Sequence, residues 1–319
     1  MTLRFISAEE IARLLPYEAC IPLMREAMIA LSSGRTRQLL RGIIDLDGGR
    51  AFGVMPGAME GGAFGAKLVS VFPDNFERGG PSHQGVIALF DPESGAPVAI
   101  LDAGEITAIR TASASATATD ALARPDASRL AILGYGEQAW RHVAAIRHVR
   151  SITRVTVWGR SPDRAAAFAR RVRDTGLDTM PAPDVATAVA EADIICTVTA
   201  APEPILESAM VPDGTHINAV GSSRAGPAEI ASDLVARARF FADHRESVLA
   251  QGAEFIRARS AGFIGDDHLL GEIGDVMRGR LLGRTSDVDV TLYKSLGTIV
   301  QDLSAGHYVH SRVQRSSGL

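Results

Sequence analysis

The chain has 319 residues, a length that corresponds to about two domains. With 46% hydrophobic and 22% charged residues it can bury a large core, which excludes a disordered chain. The formal net charge of −4 gives no basic excess of the kind that binds nucleic acid. The two cysteines, Cys20 and Cys196, exclude a disulfide framework and lack the spacing of a metal site, so we predict no bound metal.

The N-terminal residues do not predict a targeting segment. Two acidic residues, Glu9 and Glu10, come early, and no apolar core surrounds them. The most apolar run, residues 192–201, contains an aspartate and has about half of the roughly 20 residues that a membrane-spanning helix needs. We therefore expect a soluble, cytoplasmic protein with no membrane partner.

The first third of the chain predicts two helices and then a set of strands. Ser7 and Glu10 have the spacing of a capping box at the start of a helix. Pro22 fits the first turn of a second helix, where its missing N–H costs nothing, and Gly34 ends that helix. Short β-type runs broken by glycines follow within residues 37–72.

A hairpin and a long helix come next. Residues 86–90 and 97–101 are apolar runs on either side of a turn sequence, which predicts two antiparallel strands. The helix predicted from Gly104 to Ala123 consists mostly of Ala, Ser and Thr, whose small side chains let ligands and other helices approach the backbone.

From Arg129 onward, strands alternate with helices. Continuous apolar strands in such an alternation predict a parallel, doubly wound sheet of the α/β class. Residues 290–309 are predicted to be helical again. The apolar residues on one face of that helix would be Leu292, Leu296, Ile299, Val300 and Leu303.

The turn after the first of these strands has the G-x-G-x-x-A pattern of dinucleotide-binding folds. Gly134 permits a tight turn, Gly136 lets the backbone approach a pyrophosphate, and Ala139 permits close packing of helix on strand. The helix N-terminus, at Glu137 and Gln138, offers free N–H groups to the phosphates. The pattern also occurs in ordinary turns, but its place between a strand and a helix favours a dinucleotide site.

The end of the second strand bears on the choice between NAD and NADP. NAD enzymes usually carry a carboxylate there, which holds the ribose 2′-hydroxyl and would repel a 2′-phosphate. This chain has Gly159, Arg160 and Ser161 instead, and Arg160 can pair with a phosphate while Ser161 donates to it. We therefore favour NADP(H). NAD(H) is the alternative, with Arg160 as a solvated surface residue.

The substrate candidates lie in the first half of the chain. Lys67 interrupts an apolar β-type run, and Arg110 lies in an otherwise uncharged stretch of helix. A lone cation among small residues needs an anionic partner or water, and a guanidinium suits a carboxylate. Both side chains could instead reach the surface, and this alternative is stronger for Arg41. His83 is a weaker candidate in a predicted loop.

Taken together, these motifs resemble the ornithine cyclodeaminase/mu-crystallin family over nearly the whole chain. The order and spacing of the motifs are far more specific than the glycine pattern alone. The stretches concerned are residues 65–69, 81–85, 102–115, 134–139, 217–221 and 293–298.

The resemblance implies a homodimer that combines a Rossmann sheet with a second, α+β domain. We accordingly predict a substrate-binding and dimerisation domain at residues 1–123 with 292–319, and an NAD(P)-binding domain at 124–291. The last helix would thus return to the first part of the chain.

The resemblance also assigns roles to individual residues. It implies that Arg41, Lys67 and Arg110 bind the substrate carboxylate, and that Lys67 and Arg110 are catalytic. We add His83 and Ser223 as predicted substrate contacts. The predicted cofactor contacts beyond the residues named above are Thr111, Thr197, Val198, Asn218, Val220, Gly221 and Ser295.

One departure from the family pattern points to the reaction. Ser223 stands where cyclodeaminases carry an acid that handles the substrate's side-chain amine, and a neutral serine cannot pair with an ammonium group. We therefore predict an NAD(P)H-dependent reductase that converts a small imino acid, such as pyrroline-2-carboxylate or iminosuccinate, into an L-amino acid. Arg224 or His83 could hold a second substrate carboxylate.

Two other functions stay open at this point. One is an ornithine cyclodeaminase or an alanine dehydrogenase-like enzyme that uses NAD. The other is a non-enzymatic cofactor-binding protein of mu-crystallin type, although both Lys67 and Arg110 are present.

Overall fold

The computed structural model describes residues 3–75 and 79–316 and, within them, every side chain except those of His83 and Ser316. The chain forms two compact units. Unit 1 comprises the described residues of Met1–Arg110 and Thr298–Leu319, and unit 2 comprises Thr111–Gly297. Among the described helices, none is long and apolar enough to cross a membrane.

Unit 1 begins with a short strand and two helices. These are β1 (Arg4–Ile6), α1 (Ala8–Leu14) and α2 (Tyr17–Ser32). The predicted capping box opens α1: the backbone N–H of Glu10 donates to Ser7 Oγ at 3.3 Å, and that of Ser7 donates to Glu10 Oε2 at 3.2 Å.

The predicted place of Pro22 in the first helical turn was wrong. Helix α2 begins directly after Pro16, which serves as its N-terminal cap, so Pro22 lies in the helix interior. An interior proline removes one hydrogen bond, and the fully buried side chains of Met24 and Met28 anchor the helix in spite of that loss. Gly34 follows the helix end as predicted, with a φ of 70°.

A mixed sheet forms the centre of unit 1. Besides β1, its strands are β2 (Thr36–Gln38), β3 (Gly42–Leu46), β4 (Arg50–Met59), β5 (Phe64–Val71), β6 (His83–Phe90) and β7 (Pro97–Asp102). The strand order is β1-β7-β6-β5-β4-β2, with β3 also paired to β4. Strand β1 runs parallel to β7, the other pairs are antiparallel, and β6 and β7 form the predicted hairpin.

The two faces of this sheet differ in what covers them. The register places Met55, Lys67 and Ile87 side by side on one face, and helix α11 (Ile299–Ser316) packs over β4, β5 and β6 there. Because side chains alternate along a strand, the next positions point to the opposite face. Exposed apolar side chains lie on that opposite face, namely Phe5, Ile44, Leu46 and Leu68.

The predicted helix over residues 290–309 was wrong in its first part. Thr291–Lys294 forms strand β15 of unit 2, and α11 begins only at Ile299. Strand β15 is hydrogen-bonded to a neighbour on each side, and all four of its residues are buried, so they do not alternate between an apolar and a solvent-exposed face. Periodicity cannot separate such a short apolar run from a helix. Gly297, with a φ of 80°, lies between the two elements.

An eight-stranded parallel sheet forms unit 2 and confirms the predicted doubly wound α/β class. The strands are β8 (Arg129–Leu133), β9 (Arg154–Trp158), β10 (Asp178–Pro181), β11 (Ile194–Thr197), β12 (His216–Ala219), β13 (Arg239–Ala242), β14 (Leu269–Glu272) and β15. Their order in the sheet is β10-β9-β8-β11-β12-β15-β13-β14. The order reverses between β8 and β11, the point at which folds of this kind bind a dinucleotide outside the carboxyl ends of the strands.

Helices connect these strands. Helix α3 (Ala103–Leu122) begins in unit 1 and ends in unit 2. The others in unit 2 are α4 (Glu137–Ile146), α5 (Pro162–Arg173), α6 (Val185–Val189), α7 (Ser232–Arg237), α8 (Arg245–Gln251), α9 (Ala253–Ser260) and α10 (Ile273–Met277).

Candidate functional site

The glycine turn between β8 and α4 has the geometry that a pyrophosphate site requires. Gly134 has a φ of 133°, and a Cβ there would lie 2.8 Å from the carbonyl oxygen of Val198. Gly136 is the N-terminal cap residue of α4, so no side chain caps this helix. Nothing lies within 4 Å of the position that a Cβ on Gly136 would occupy. Ala139, in the first turn of α4, is fully buried.

These features fit a dinucleotide. The open space beside Gly136 adjoins the first N–H groups of α4, which no side chain caps, and a phosphate can accept hydrogen bonds from such groups. The carboxylate of Glu137 is paired with Arg141 at 3.3 Å. The buried Oε1 of Gln138 has no hydrogen-bond partner within the described part of the chain.

The end of β9 presents the residues that were predicted to recognise the adenosine ribose. Gly159 packs against the ring of Tyr135, so closely that a side chain at position 159 would overlap with it. Arg160 is exposed to solvent. Ser161 caps α5, and its Oγ accepts from the backbone N–H of Arg164 at 3.4 Å.

The ends of β11 and β12 approach each other through their backbones. The N–H groups of Val220 and Gly221 both donate to the carbonyl oxygen of Thr197, at 3.0 and 3.1 Å. A Cβ on Gly221 would overlap with the carbonyl oxygen of Thr199 and with the carboxylate of Glu229. Since Gly221 is exposed on its other side, its backbone is accessible to a ligand.

The remaining predicted cofactor residues of unit 2 are buried. Thr111 is 7% exposed. Asn218 is fully buried. Its amide nitrogen donates to Thr119 Oγ1 at 2.9 Å, and its Oδ1 lies 3.3 Å from Nε2 of His216. The hydroxyl of Ser295 has no hydrogen-bond partner among the residues that the structure describes, so it has capacity left for a ligand.

In unit 1, two buried cations share one carboxylate, in what we call the Lys67–Arg110 cluster. Arg110 donates from Nε to Asp302 Oδ1 at 2.8 Å and from Nη1 to Gln301 Oε1 at 3.0 Å. The ammonium group of Lys67 donates to Thr107 Oγ1 at 2.5 Å and lies 3.3 Å from Asp302 Oδ1. Strand β5 supplies Lys67, helix α3 supplies Arg110 and Thr107, and helix α11 supplies Asp302 and Gln301.

The cluster carries more positive than negative charge. Arg41 lies in the segment between β2 and β3, is half-buried, and interacts electrostatically with Lys67. Two cations, Lys67 and Arg110, thus share the single carboxylate of Asp302. Arg110 is 4% exposed, and within the described residues its Nη2 donates no hydrogen bond, so these N–H groups remain for an anionic ligand.

Burial and charge change the pKa values in this cluster. Burial lowers the pKa of Lys67 to about 8, with the charges of Arg110 and Arg41 acting in the same direction and that of Asp302 opposing them. Burial alone would raise the pKa of Asp302, but Arg110 and Lys67 outweigh it and lower that pKa below its ordinary value. The carboxylate therefore stays ionised, while Lys67 can change its protonation state near neutral pH.

The other predicted substrate contacts lie elsewhere or are not described. Strand β6 begins at His83, whose side chain is outside the described residues. Ser223 and Arg224 belong to unit 2, in the loop after β12, where Ser223 is half-buried and Arg224 is exposed. Within residues 3–75 and 79–316, no cluster of His, Cys, Asp and Glu side chains could hold a metal ion.

Asp302, Gln301 and Glu229 were not predicted from the sequence. A signal for Asp302 was present, because it follows Ile299 by three positions and precedes Leu303, so it lies on the apolar face of its helix. A charged residue on such a face needs a partner. The loop sequence around Glu229 gives no comparable periodicity.

Comparison with known proteins identifies relatives over the whole length of the chain. The model of the ornithine cyclodeaminase/mu-crystallin family matches residues 2–317. The chain is similar to the ketimine reductase mu-crystallin of Mus musculus, at 35% identity over 96% of both chains. It is also similar to the delta(1)-pyrroline-2-carboxylate reductase of Bacillus cereus, at 33% identity over 96% of this chain and 95% of the relative.

Two solved structures share the fold. The pyrroline-2-carboxylate reductase of Thermococcus litoralis, in complex with NADH and L-proline, has a TM-score of 0.95 at 30% identity and covers 99% of this chain and 98% of its own. An archaeal alanine dehydrogenase dimer with bound NAD has a TM-score of 0.93 at 27% identity, over 99% and 97% of the two chains.

Proposed function

The chain belongs to the ornithine cyclodeaminase/mu-crystallin family, and from this membership we propose that it is an NAD(P)H-dependent reductase of small imino acids. The product would be an L-amino acid. The relatives that support this proposal are the ketimine reductase and the pyrroline-2-carboxylate reductases.

The surplus of positive charge in the Lys67–Arg110 cluster is the main support for this function. Asp302 neutralises only one of the two cations that pair with it, Lys67 and Arg110. A buried site with uncompensated positive charge favours an anion, and the free N–H groups of Arg110 suit the two oxygens of a carboxylate. Imino acids carry a carboxylate next to the carbon that accepts the hydride.

The residues of the cluster would bind the substrate and supply the proton. A reduced nicotinamide dinucleotide supplies the hydride when it is bound. Arg110, assisted by Arg41, would hold the substrate carboxylate and so orient the imine carbon. Lys67 would donate the proton that the nitrogen takes up, either directly or through water, and its pKa of about 8 is suited to a proton donor near neutral pH. Asp302 would hold the Lys67 ammonium group in place.

We propose NADP(H) as the preferred cofactor and NAD(H) as a cofactor that the same site accepts. The exposed guanidinium of Arg160 and the absence of an acid at the end of β9 support NADP(H). The structures with NADH and NAD support NAD(H). A reductase with two buried free cysteines suits a reducing compartment, and we propose that it acts in the cytoplasm.

The functional division of the chain is also a proposal. Residues 1–123 with 292–319 would bind substrate and form a homodimer, and residues 124–291 would bind the cofactor. The exposed apolar face of the unit 1 sheet supports the homodimer, since apolar patches of this kind are typical of interfaces. The dimeric alanine dehydrogenase relative supports it as well.

An amino-acid dehydrogenase is the second candidate, because the high structural similarity to alanine dehydrogenase is compatible with the same carboxylate site.

Oxidation of NADH and NADPH with pyrroline-2-carboxylate, piperideine-2-carboxylate, iminosuccinate, and pyruvate with ammonia or methylamine separates the candidates. We expect turnover with at least one cyclic or dicarboxylic imine. Turnover only with pyruvate and ammonia would support the dehydrogenase, and oxidation of neither nucleotide with any substrate would refute both.

A further inference from the structure

Glu229 is a fully buried carboxylate at the carboxyl ends of β11 and β12. Its Oε1 accepts from the backbone N–H of Thr199 at 2.6 Å and from the Thr199 hydroxyl at 2.7 Å. Its Oε2 accepts from the Thr197 hydroxyl and from the backbone N–H of Gly221, both at 2.7 Å. One side chain therefore joins the loops that follow two neighbouring strands.

The donors around Glu229 require an acceptor at both side-chain oxygens, which an amide cannot supply. Each oxygen faces one hydroxyl, which can turn, and one backbone N–H, which can only donate. A glutamine in either orientation would direct its NH₂ group at the N–H of Thr199 or of Gly221. It would leave that buried donor without an acceptor.

A second carboxylate and one ammonium group complete the surroundings. The ammonium of Lys294 lies 2.7 Å from Glu254 Oε2 and donates to the carbonyl oxygen of Ser222 at 2.7 Å. Glu254 Oε1 accepts from the backbone N–H of Glu229 at 3.2 Å. Burial raises the pKa of Glu229, while the hydrogen bonds from Thr199 and Thr197 and the charge of Lys294 act in the opposite direction. The loop from Gly221 to Glu229 is thus fixed at both ends.

The position of these loops indicates what they support. In a doubly wound sheet the first strand-to-helix turn takes the pyrophosphate, and the two halves of the dinucleotide lie over opposite sides of the reversal point. The glycine turn follows β8 and the ribose residues follow β9, so the nicotinamide half belongs over β11 and β12.

We propose that Glu229 is a positioning residue for the nicotinamide half of the dinucleotide. It fixes the spacing between the Thr197–Thr199 segment and Gly221 and thereby shapes the surface that the nicotinamide contacts. The inference rests on the proposed function only in that the chain binds a dinucleotide. It does not depend on which imino acid is reduced.

The test compares direct binding of NADH with that of ADP-ribose, a probe that lacks the nicotinamide. For Glu229→Gln we expect the Kd for NADH to rise about tenfold or more, the effect of losing one hydrogen bond to a charged group. The Kd for ADP-ribose should change by less than about twofold. Glu229→Asp, which keeps the charge, should recover part of the NADH affinity. A purely structural role would weaken both ligands alike, and that result, or an unchanged NADH affinity, overturns the proposal.

A matched control is Asp193→Asn. Asp193 is another buried carboxylate of unit 2 that accepts from two backbone N–H groups, those of Ser128 and Arg129, but it precedes β11 instead of following it. This variant should lose stability without a change in the ratio of the two Kd values. If Glu229→Gln does not fold, Thr199→Val removes one donor and should show a smaller loss, about two- to threefold, for NADH alone; an equal loss for both ligands again overturns the proposal.

The proposed reductase activity and the proposed role of Glu229 can fail independently. A wild-type protein that binds NADH but reduces no imine refutes the proposed reaction, while the comparison of NADH with ADP-ribose still decides the role of Glu229. A wild-type protein that binds neither ligand overturns both proposals.

Discussion

Lys67 and Asp302 lie 235 positions apart in the sequence and form a buried ion pair, with the ammonium nitrogen 3.3 Å from Oδ1. The Asp302 side chain is fully buried, and Arg110 shares the same oxygen at 2.8 Å. One carboxylate thus keeps two cations close together and charged inside the protein. This arrangement gives the proposed carboxylate site its rigidity and ties its chemistry to pH.

Replacement of Lys67 should affect turnover and not cofactor binding. If Lys67 donates the proton, Lys67→Ala should lower kcat by roughly 10²–10⁴-fold, the usual contribution of a general acid. The Kd for NADPH should stay within about twofold of the wild type, because the predicted cofactor residues are on other elements. Arg50→Ala removes a half-buried cation of unit 1 that pairs with Asp74 and not with Asp302, and it serves as the control. Near-normal kcat in Lys67→Ala would contradict the assignment.

Asp302 should set the pH at which activity is lost. A proton donor must be protonated, so kcat should fall as the pH rises through about 8, the pKa of Lys67. The negative charge of Asp302 raises that pKa, so Asp302→Asn should lower it and move the falling limb of the kcat profile to lower pH. Asp302→Glu keeps the charge and should leave the limb near its wild-type position. A limb that stays in place in Asp302→Asn would show that another group controls it.

The residues of this site differ in how far the sequence could predict them. Lys67 and Arg110 stood out because each interrupts an uncharged run, and the glycine turn stood out because its pattern follows a strand. Asp302 did not stand out, because its partners lie more than 190 positions away and because β15 and α11 were predicted as one continuous helix. Tertiary contacts determine both the partners of Asp302 and the conformation of β15, because β15 is a strand only through its pairing with neighbours in the sheet.

Arg160 should discriminate between the two cofactors. A guanidinium pairs with a 2′-phosphate but gains little from a 2′-hydroxyl. Arg160→Gln should therefore raise the KM for NADPH by about tenfold and leave the KM for NADH almost unchanged. Arg154→Gln is the matched control, because Arg154 begins the same strand that Arg160 follows and pairs with Asp178 at 3.0 Å. Equal effects on both cofactors in Arg160→Gln would mean that Arg160 does not contact the 2′ position.

Two buried histidines should make the fold sensitive to acid. Burial lowers the pKa of His142 to about 4 and that of His216 to about 3, against an ordinary value of 6.5. Below pH 6.5 the unfolded chain takes up protons that the folded protein does not, so the free energy of unfolding falls as the pH drops toward about 4. Each histidine contributes a slope of up to about 1.4 kcal/mol per pH unit.

Urea unfolding at several pH values between about 4.5 and 6.5 measures this slope. His142→Gln should lose the contribution of one proton to the slope, whatever its effect on stability at neutral pH. Identical slopes in His142→Gln and the wild type would show that His142 titrates normally in the folded protein.

The exposed apolar face of unit 1 should determine the oligomeric state. Ile44 is 58% exposed and Leu68 37% exposed, on adjacent parts of the sheet face opposite Lys67. A charge placed in an apolar interface must be desolvated without a partner, so Ile44→Glu should convert a dimer into a monomer in sedimentation or light-scattering measurements. Val288→Glu is the control, because Val288 is equally exposed, at 63%, but belongs to unit 2. A dimer that persists in Ile44→Glu would place the interface on another surface.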